Sequence, residues 1–234
     1  MHDTGCAGTV GDLSGFRREF YQCLLRRADA AFDLVDAVLC ADGPVRSLPE
    51  LSLIGEHRRG HGSVYAALDR GRIDIVGCAV RWFRCHCLVP RTAGWLVLAV
   101  DITSWLRPEA HTCPQRILCH TYGRAKNTAQ MIPGWPYSVV AALESGCSSW
   151  TAPLDAVRLA PGDDAATVTA GQLRTVIGNL IEAGHWCPGD PDIWIVADAG
   201  YDAPRLAFLL ADLPVAVLAR MRSDRVLRRR APAW

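Results

Sequence analysis

Residues 193–202 read IWIVADAGYD: the apolar run Ile193-Trp194-Ile195-Val196-Ala197 stops at Asp198. A short continuous apolar run of this kind fits a strand buried on both faces. A second run, Gly94-Trp95-Leu96-Val97-Leu98-Ala99-Val100, stops at Asp101. In open α/β sheets, reactive groups gather beyond the carboxyl ends of strands. If these two strands are neighbours, Asp101 and Asp198 share one site. Two close carboxylates are costly unless cations neutralise them. Mg²⁺ or Mn²⁺ suits such a site, because both prefer carboxylate and water oxygens. A pair of these ions, ~3.5–4 Å apart, activates an attacking oxygen and stabilises a leaving one, which is phosphodiester chemistry. A lone aspartate is more often a helix or turn cap, so spacing by itself leaves both readings open.

The rest of the chain extends this pattern. Residues 116–122, 137–143 and 150–159 read as further strands, and Val215 to Ala219 as the last. Between them, Pro161-Gly162 turns the chain, and Asp163 or Asp164 caps a helix reaching about Ala183. Its apolar face is Leu173, Val176, Ile177, Leu180 and Ile181. Another helix is expected at 203–211. Asp202 precedes Ala203-Pro204, which suits an N-cap with an early proline. Upstream, Phe16, Phe20, Cys23, Leu24 and Arg27 start a helical stripe that resumes at Ala31, Leu34, Val35, Val38 and Leu39. Asp42-Gly43-Pro44 ends it. A second helical stretch, 48–80, is broken at its polar, glycine-bearing centre, 56–62. The expected division is a helical region, 1–92, followed by an α/β domain, 93–234.

Composition narrows the function classes. Half of the 234 residues are apolar and the net charge is only +1, so neither a nucleic acid nor a protein partner is excluded. The arginines Arg220, Arg222, Arg225, Arg228, Arg229 and Arg230 crowd the end of the sequence, while Lys126 is the sole lysine. No apolar run approaches the ~18 residues of a membrane span. No secretory signal pattern opens the chain. A cytoplasmic, nucleoid-associated protein with reduced thiols is therefore expected, despite ten cysteines. Cys85-His86-Cys87 and Cys113 with Cys119-His120 fit no standard zinc spacing.

Residues 95–106 (WLVLAVDITSWL) resemble the first catalytic strand of DDE transposases from bacterial insertion sequences. Residues 193–202 resemble their second block, an Asp followed by a small residue, Gly and an aromatic. Residues 120–144 (HTYGRAKNTAQMIPGWPYSVVAALE) resemble the intervening segment in the actinobacterial branch of the DDE superfamily endonucleases. The resemblance runs from about Leu48 to Arg229. It implies a ribonuclease H-like mixed sheet with flanking helices, here incomplete at its C-terminus. It also implies metal-dependent cutting and joining of transposon ends, with double-stranded DNA, both transposon end and target, as partner, together with self-association. Asp101 matches the first acid and Asp198 the second, and both would hold Mg²⁺ or Mn²⁺.

The third acid of such a site is a Glu on a later helix, and no Glu follows Asp198. Asp212 reads as a turn residue, and Asp224 lies in the arginine-rich end. A C-terminally truncated product is the expectation, with a catalytically inactive DNA-binding or self-associating protein as the alternative. Arg58 and Arg59 in the polar turn, and Arg124 with Lys126 after the second strand, are the candidate phosphate contacts. Trp135, between Gly134 and Pro136, reads as a packed loop aromatic rather than a base-stacking surface.

Overall fold

The computed structural model describes residues 4–84, 89–113, 115–121, 130–144, 151–221, 223 and 226. They belong to two units, residues 1–85 and 86–234.

The first unit contains α1 (Thr4–Gln22), β1 (Leu24–Arg26), α2 (Ala28–Leu39), α3 (Leu48–Leu51), α4 (Gly62–Arg70), β2 (Arg72–Ile73) and α5 (Ile75–Arg84). The apolar stripe from Phe16 to Leu39 is therefore not one helix. Arg27 adopts a left-handed conformation, φ 56°, which costs a non-glycine residue ~1–2 kcal/mol. That break lets residues 24–26 pair antiparallel with β2 while Cys23 and Leu24 become buried. Ala30, Leu34 and Ala37 of α2 pack with Leu51 of α3 and with Val64 and Ala67 of α4. Arg17 of α1 grips Asp36 of α2 through two hydrogen bonds, 2.6 and 2.8 Å. The same guanidinium holds the Asp36 carboxyl below its ordinary range.

The second unit is built on β3 (Val97–Leu106), β4 (Ile117–Thr121), β5 (Gln130–Leu143), β6 (Thr151–Arg158), α6 (Ala165–Glu182), β7 (Ile193–Ala197), α7 (Ala203–Leu209) and β8 (Val215–Ala219). These strands form one sheet. β3 lies antiparallel to β5 and parallel to β7, and β8 extends the sheet parallel to β7. The far edge of β5 is shared, β4 pairing with residues 130–134 and β6 with residues 137–143. The path β6-β5-β3-β7-β8, with one helix before and one after β7, is a ribonuclease H-like mixed sheet. Gly134 is needed where β5 meets β3, since a Cβ there would stand 2.5 Å from the Trp105 carbonyl oxygen.

Side chains alternate across a sheet, and here the two faces differ. Leu98, Val100, Val140, Ala142, Ile193, Ile195 and Ala197 are buried on one face, as are Leu173, Val176, Ile177 and Leu180 of α6. Helices α6 and α7 pack on each other. Ion pairs Arg174–Asp212 and Arg205–Asp164 tie their edges. The opposite face carries Trp194 of β7, which is exposed, and Val196 and Ala99, which are half-buried. No helix among the described residues is long and apolar enough to cross a membrane.

Adjacent residues of β7 should thus differ sharply on truncation. Ile195→Ala should cost ~2–5 kcal/mol, the range for a large aliphatic side chain in a closed core, in urea unfolding. Val196→Ala should cost less than half as much. Equal losses would contradict the assignment of the buried face.

Candidate active site

The site is fixed by strand register. The parallel pairing of β3 with β7 matches Val97 to Trp194 and proceeds in step to Val100 opposite Ala197. The next residues on the two chains are Asp101 and Asp198. Both follow a residue of the buried face, so both belong to the opposite face. The two backbones lie ~4.8 Å apart, the spacing of hydrogen-bonded strands, and both aspartates are exposed.

One sequence expectation changes here. Asp198 does follow the end of β7, but Asp101 lies within β3 rather than at its end. Beyond Asp101 the strand loses its parallel neighbour and keeps its antiparallel one, through Leu106 opposite Gly134. The apolar run stops at Val100, where the pairing with the parallel neighbour β7 also ends. The alternating burial of residues 101–106 marks a ribbon continuing past it.

Each carboxylate is oriented locally. Asp101 Oδ1 accepts from the Ile102 amide at 2.8 Å, and Asp198 Oδ1 from the Gly200 amide at 2.8 Å. Gly200 is constrained by this turn, because a Cβ would approach Asp198 Oδ1 to 3.0 Å. The small residue and Gly after Asp198 thus keep its carboxylate free to point outward. Asp202 takes the N-cap position of α7 with proline in the first turn. Asp212 is engaged by Arg174, whose hydrogen bond lowers its carboxyl pKa. Among the described residues, no group of three or more His, Cys, Asp or Glu side chains is placed to hold a metal ion.

Beneath the aspartates lies a polar group that sequence reading missed. Tyr201 is 7% exposed, and Ser138 and Thr169 are fully buried. Ser138 Oγ and Thr169 Oγ1 are 3.1 Å apart, and Gln172 Nε2 donates to the Ser138 carbonyl at 3.0 Å. The Tyr201 hydroxyl is buried without a well-formed hydrogen bond. Burial raises its pKa above the ordinary value, Ser138 and Thr169 oppose that, and the charges of Asp101 and Asp198 add to it. Only the aromatic residue three places after Asp198 was visible in the sequence.

The other sequence candidates scatter. Arg58 is exposed. Arg59 forms ion pairs with Asp29 and Asp33 of α2, at 3.1 and 3.0 Å. Arg124, Lys126, Cys85, His86, Cys87 and Asp224 lie outside the described residues. Trp135 is part of β5, paired with Trp105, and not in a loop.

The profile of the family described as DDE superfamily endonuclease matches residues 19–234. No curated protein matches the chain. Among solved structures, the chain is similar to one described as "Drosophila P element transposase strand transfer complex". The two share 15% identity with a TM-score of 0.39, over 81% of this chain and 41% of that one. The chain thus spans less than half the length of that neighbour.

Tyr201 gives this region a pH signature. Its folded pKa is raised, so above the unfolded value of ~10 the folded state keeps a proton that the unfolded chain releases. Stability should therefore fall as pH rises through that window, with no contribution below it. Urea midpoints at about pH 9 and about pH 11 should show a smaller alkaline loss for Tyr201→Phe than for the wild type. Parallel pH profiles would contradict the placement of the hydroxyl.

Proposed function

The chain belongs to the DDE superfamily endonucleases, and we propose that Asp101 and Asp198 are two of the acids with which it cuts DNA at transposon ends and joins the freed 3′-hydroxyl to target DNA. The observation that carries this reading is the register that sets two exposed aspartates side by side on neighbouring parallel strands.

The donor set suits Mg²⁺ or Mn²⁺. Both groups are carboxylates, both are exposed, and each spends one oxygen on a single backbone amide, leaving lone pairs for a hard cation. Bound there, such ions supply charge stabilisation at the attacking and leaving oxygens of a phosphodiester. The protein's own part is positional. The β3–β7 ladder sets side by side the two strands that lead into the carboxylates. The Gly200 amide turns Asp198 outward, and the buried Tyr201 ring anchors the turn that carries it. Arg58 is an exposed phosphate contact in this reading, whereas Arg59 is already shared between Asp29 and Asp33. Arg124 and Lys126 are further phosphate contacts in this reading, proposed from the sequence alone.

A second reading has its own observation. With no third ligand beside the two aspartates among the described residues, the chain would bind DNA, or itself, without cutting.

A labelled-end cleavage assay with Mg²⁺ or Mn²⁺ separates the two. Under the first reading the chain cleaves, and Asp198→Asn reduces the rate at least ~100-fold, as loss of several kcal/mol of charge stabilisation requires. DNA binding survives that substitution, because arginines make the phosphate contacts. Binding without any cleavage by the wild type would establish the second reading. Cleavage that Asp101→Asn and Asp198→Asn both leave intact would refute the site.

A further inference from the structure

The sheet face that bears the aspartates does not end with them. Along β3, the same face continues through Thr103 to Trp105, ~13 Å beyond Asp101 at the strand rise. In register, Tyr137 of β5 stands opposite Thr103, and Trp135 opposite Trp105. Arg158 of β6 stands opposite Tyr137 in turn. One face therefore presents, in order, two carboxylates, a Thr–Tyr–Arg row and a tryptophan pair.

Trp105 is 49% exposed. Its ring is held from one side by Trp135, with centroids 5.5 Å apart. The Arg107 guanidinium lies 4.5 Å from its centroid. The turn carrying Arg107 is tied down, since Arg116 Nη1 donates to the Arg107 and Pro108 carbonyls at 2.9 Å each. Arg158 is anchored by Gln115. One arginine, Arg107, thus lies against the exposed indole, and Arg158 stands on the same sheet face two strands away.

This chemistry selects its occupant. An apolar protein surface would leave the guanidinium groups facing greasy groups, and a polyanion alone would leave the indole wet. A nucleotide satisfies both, through a flat base for the ring and a phosphate for the cations. A base inside a duplex cannot present its flat face, so the base must be unpaired. The distance from Asp101 is that of about four nucleotides of a stacked strand, at ~3.4 Å each.

We propose that Trp105 is a stacking platform for an unpaired base of the DNA strand whose phosphodiester lies at Asp101 and Asp198, with Arg107 and Arg158 meeting the adjacent phosphates. This rests on the nuclease reading above and adds to it where the strand runs and which part of it is read as single-stranded. The incoming base displaces the Arg107 guanidinium from the ring or stacks upon it, and either keeps that charge beside the phosphate.

The test measures binding of the full chain to two probes by fluorescence anisotropy. One is a DNA single strand carrying 2-aminopurine, whose emission falls on stacking. The other is a duplex closed by hairpins at both ends. Trp105→Ala should weaken single-strand binding about ten-fold, within the range of one lost base–aromatic stack, and restore the 2-aminopurine emission. Trp105→Phe should fall between. Binding to the closed duplex should not change for either variant, which also shows that both fold. Arg107→Ala should reduce the salt slope of single-strand binding by about one. Undiminished quenching in Trp105→Ala, or equal loss on both probes, overturns the platform while leaving the nuclease reading in place. If the wild type binds neither probe, both are overturned.

Discussion

The structure of the second unit depends on one constraint: the in-step parallel pairing of β3 with β7. Parallel strands cannot be joined by a tight turn. The chain must travel through the β3–β5–β6 meander, across α6, and back before Ile193 can lie beside Leu96 and Val97. That route buries the α6 stripe of Leu173, Val176, Ile177 and Leu180 against the sheet. Because side chains alternate along a strand, a slip of one residue in this ladder would turn Asp198 to the helix-covered side. The burial that fixes the register therefore also fixes the aspartate pair. Ile193, Ile195 and Ala197 fit only inward, so Asp198 stands outward.

The same alternation gives the two faces of the sheet different roles. The inward face is closed by α6 and α7. The outward face combines half-exposed apolar residues with chemistry-bearing ones. Trp95 and Trp194 meet edge-on at one end, with centroids 5.8 Å apart, the aspartates lie in the middle, and the Trp105–Arg107 group lies at the other. A solvated core surface would rarely concentrate aromatic, acidic and basic side chains along one strand in this way.

Much of this arrangement is legible in the sequence, for identifiable reasons. The runs ending at Asp101 and Asp198 are short, apolar and sharply bounded, so their existence as strands and their carboxylates could be read directly. The α6 face at Leu173–Ile177–Leu180 was equally clear from its helical spacing. Local pattern misleads where tertiary pairing overrides it. The stripe from Phe16 to Leu39 has helical period throughout, yet Arg27 breaks it so that Leu24–Arg26 can pair with Arg72–Ile73. Asp101 reads as a strand end because the apolar run stops, but the strand persists on the strength of β5, which is distant in sequence. Trp135 reads as a loop residue because of its flanking Gly134 and Pro136. Gly134 instead lets β5 approach β3 closely, and the ladder runs on through Pro136. Tyr201 with Ser138, Thr169 and Gln172 could not be foreseen, since the group assembles from a strand, a helix and a turn.

The central claim is that Asp101 and Asp198 act as one cation site rather than as two unrelated surface carboxylates. Calorimetric titration of the chain with Mn²⁺ tests it most directly, using Asp101→Asn, Asp198→Asn and the double variant. If the two share an ion, either single substitution removes nearly all the binding heat, and the double variant loses no more, a strong departure from additivity. Independent, additive losses, or Mn²⁺ binding that survives in the double variant, would contradict the account.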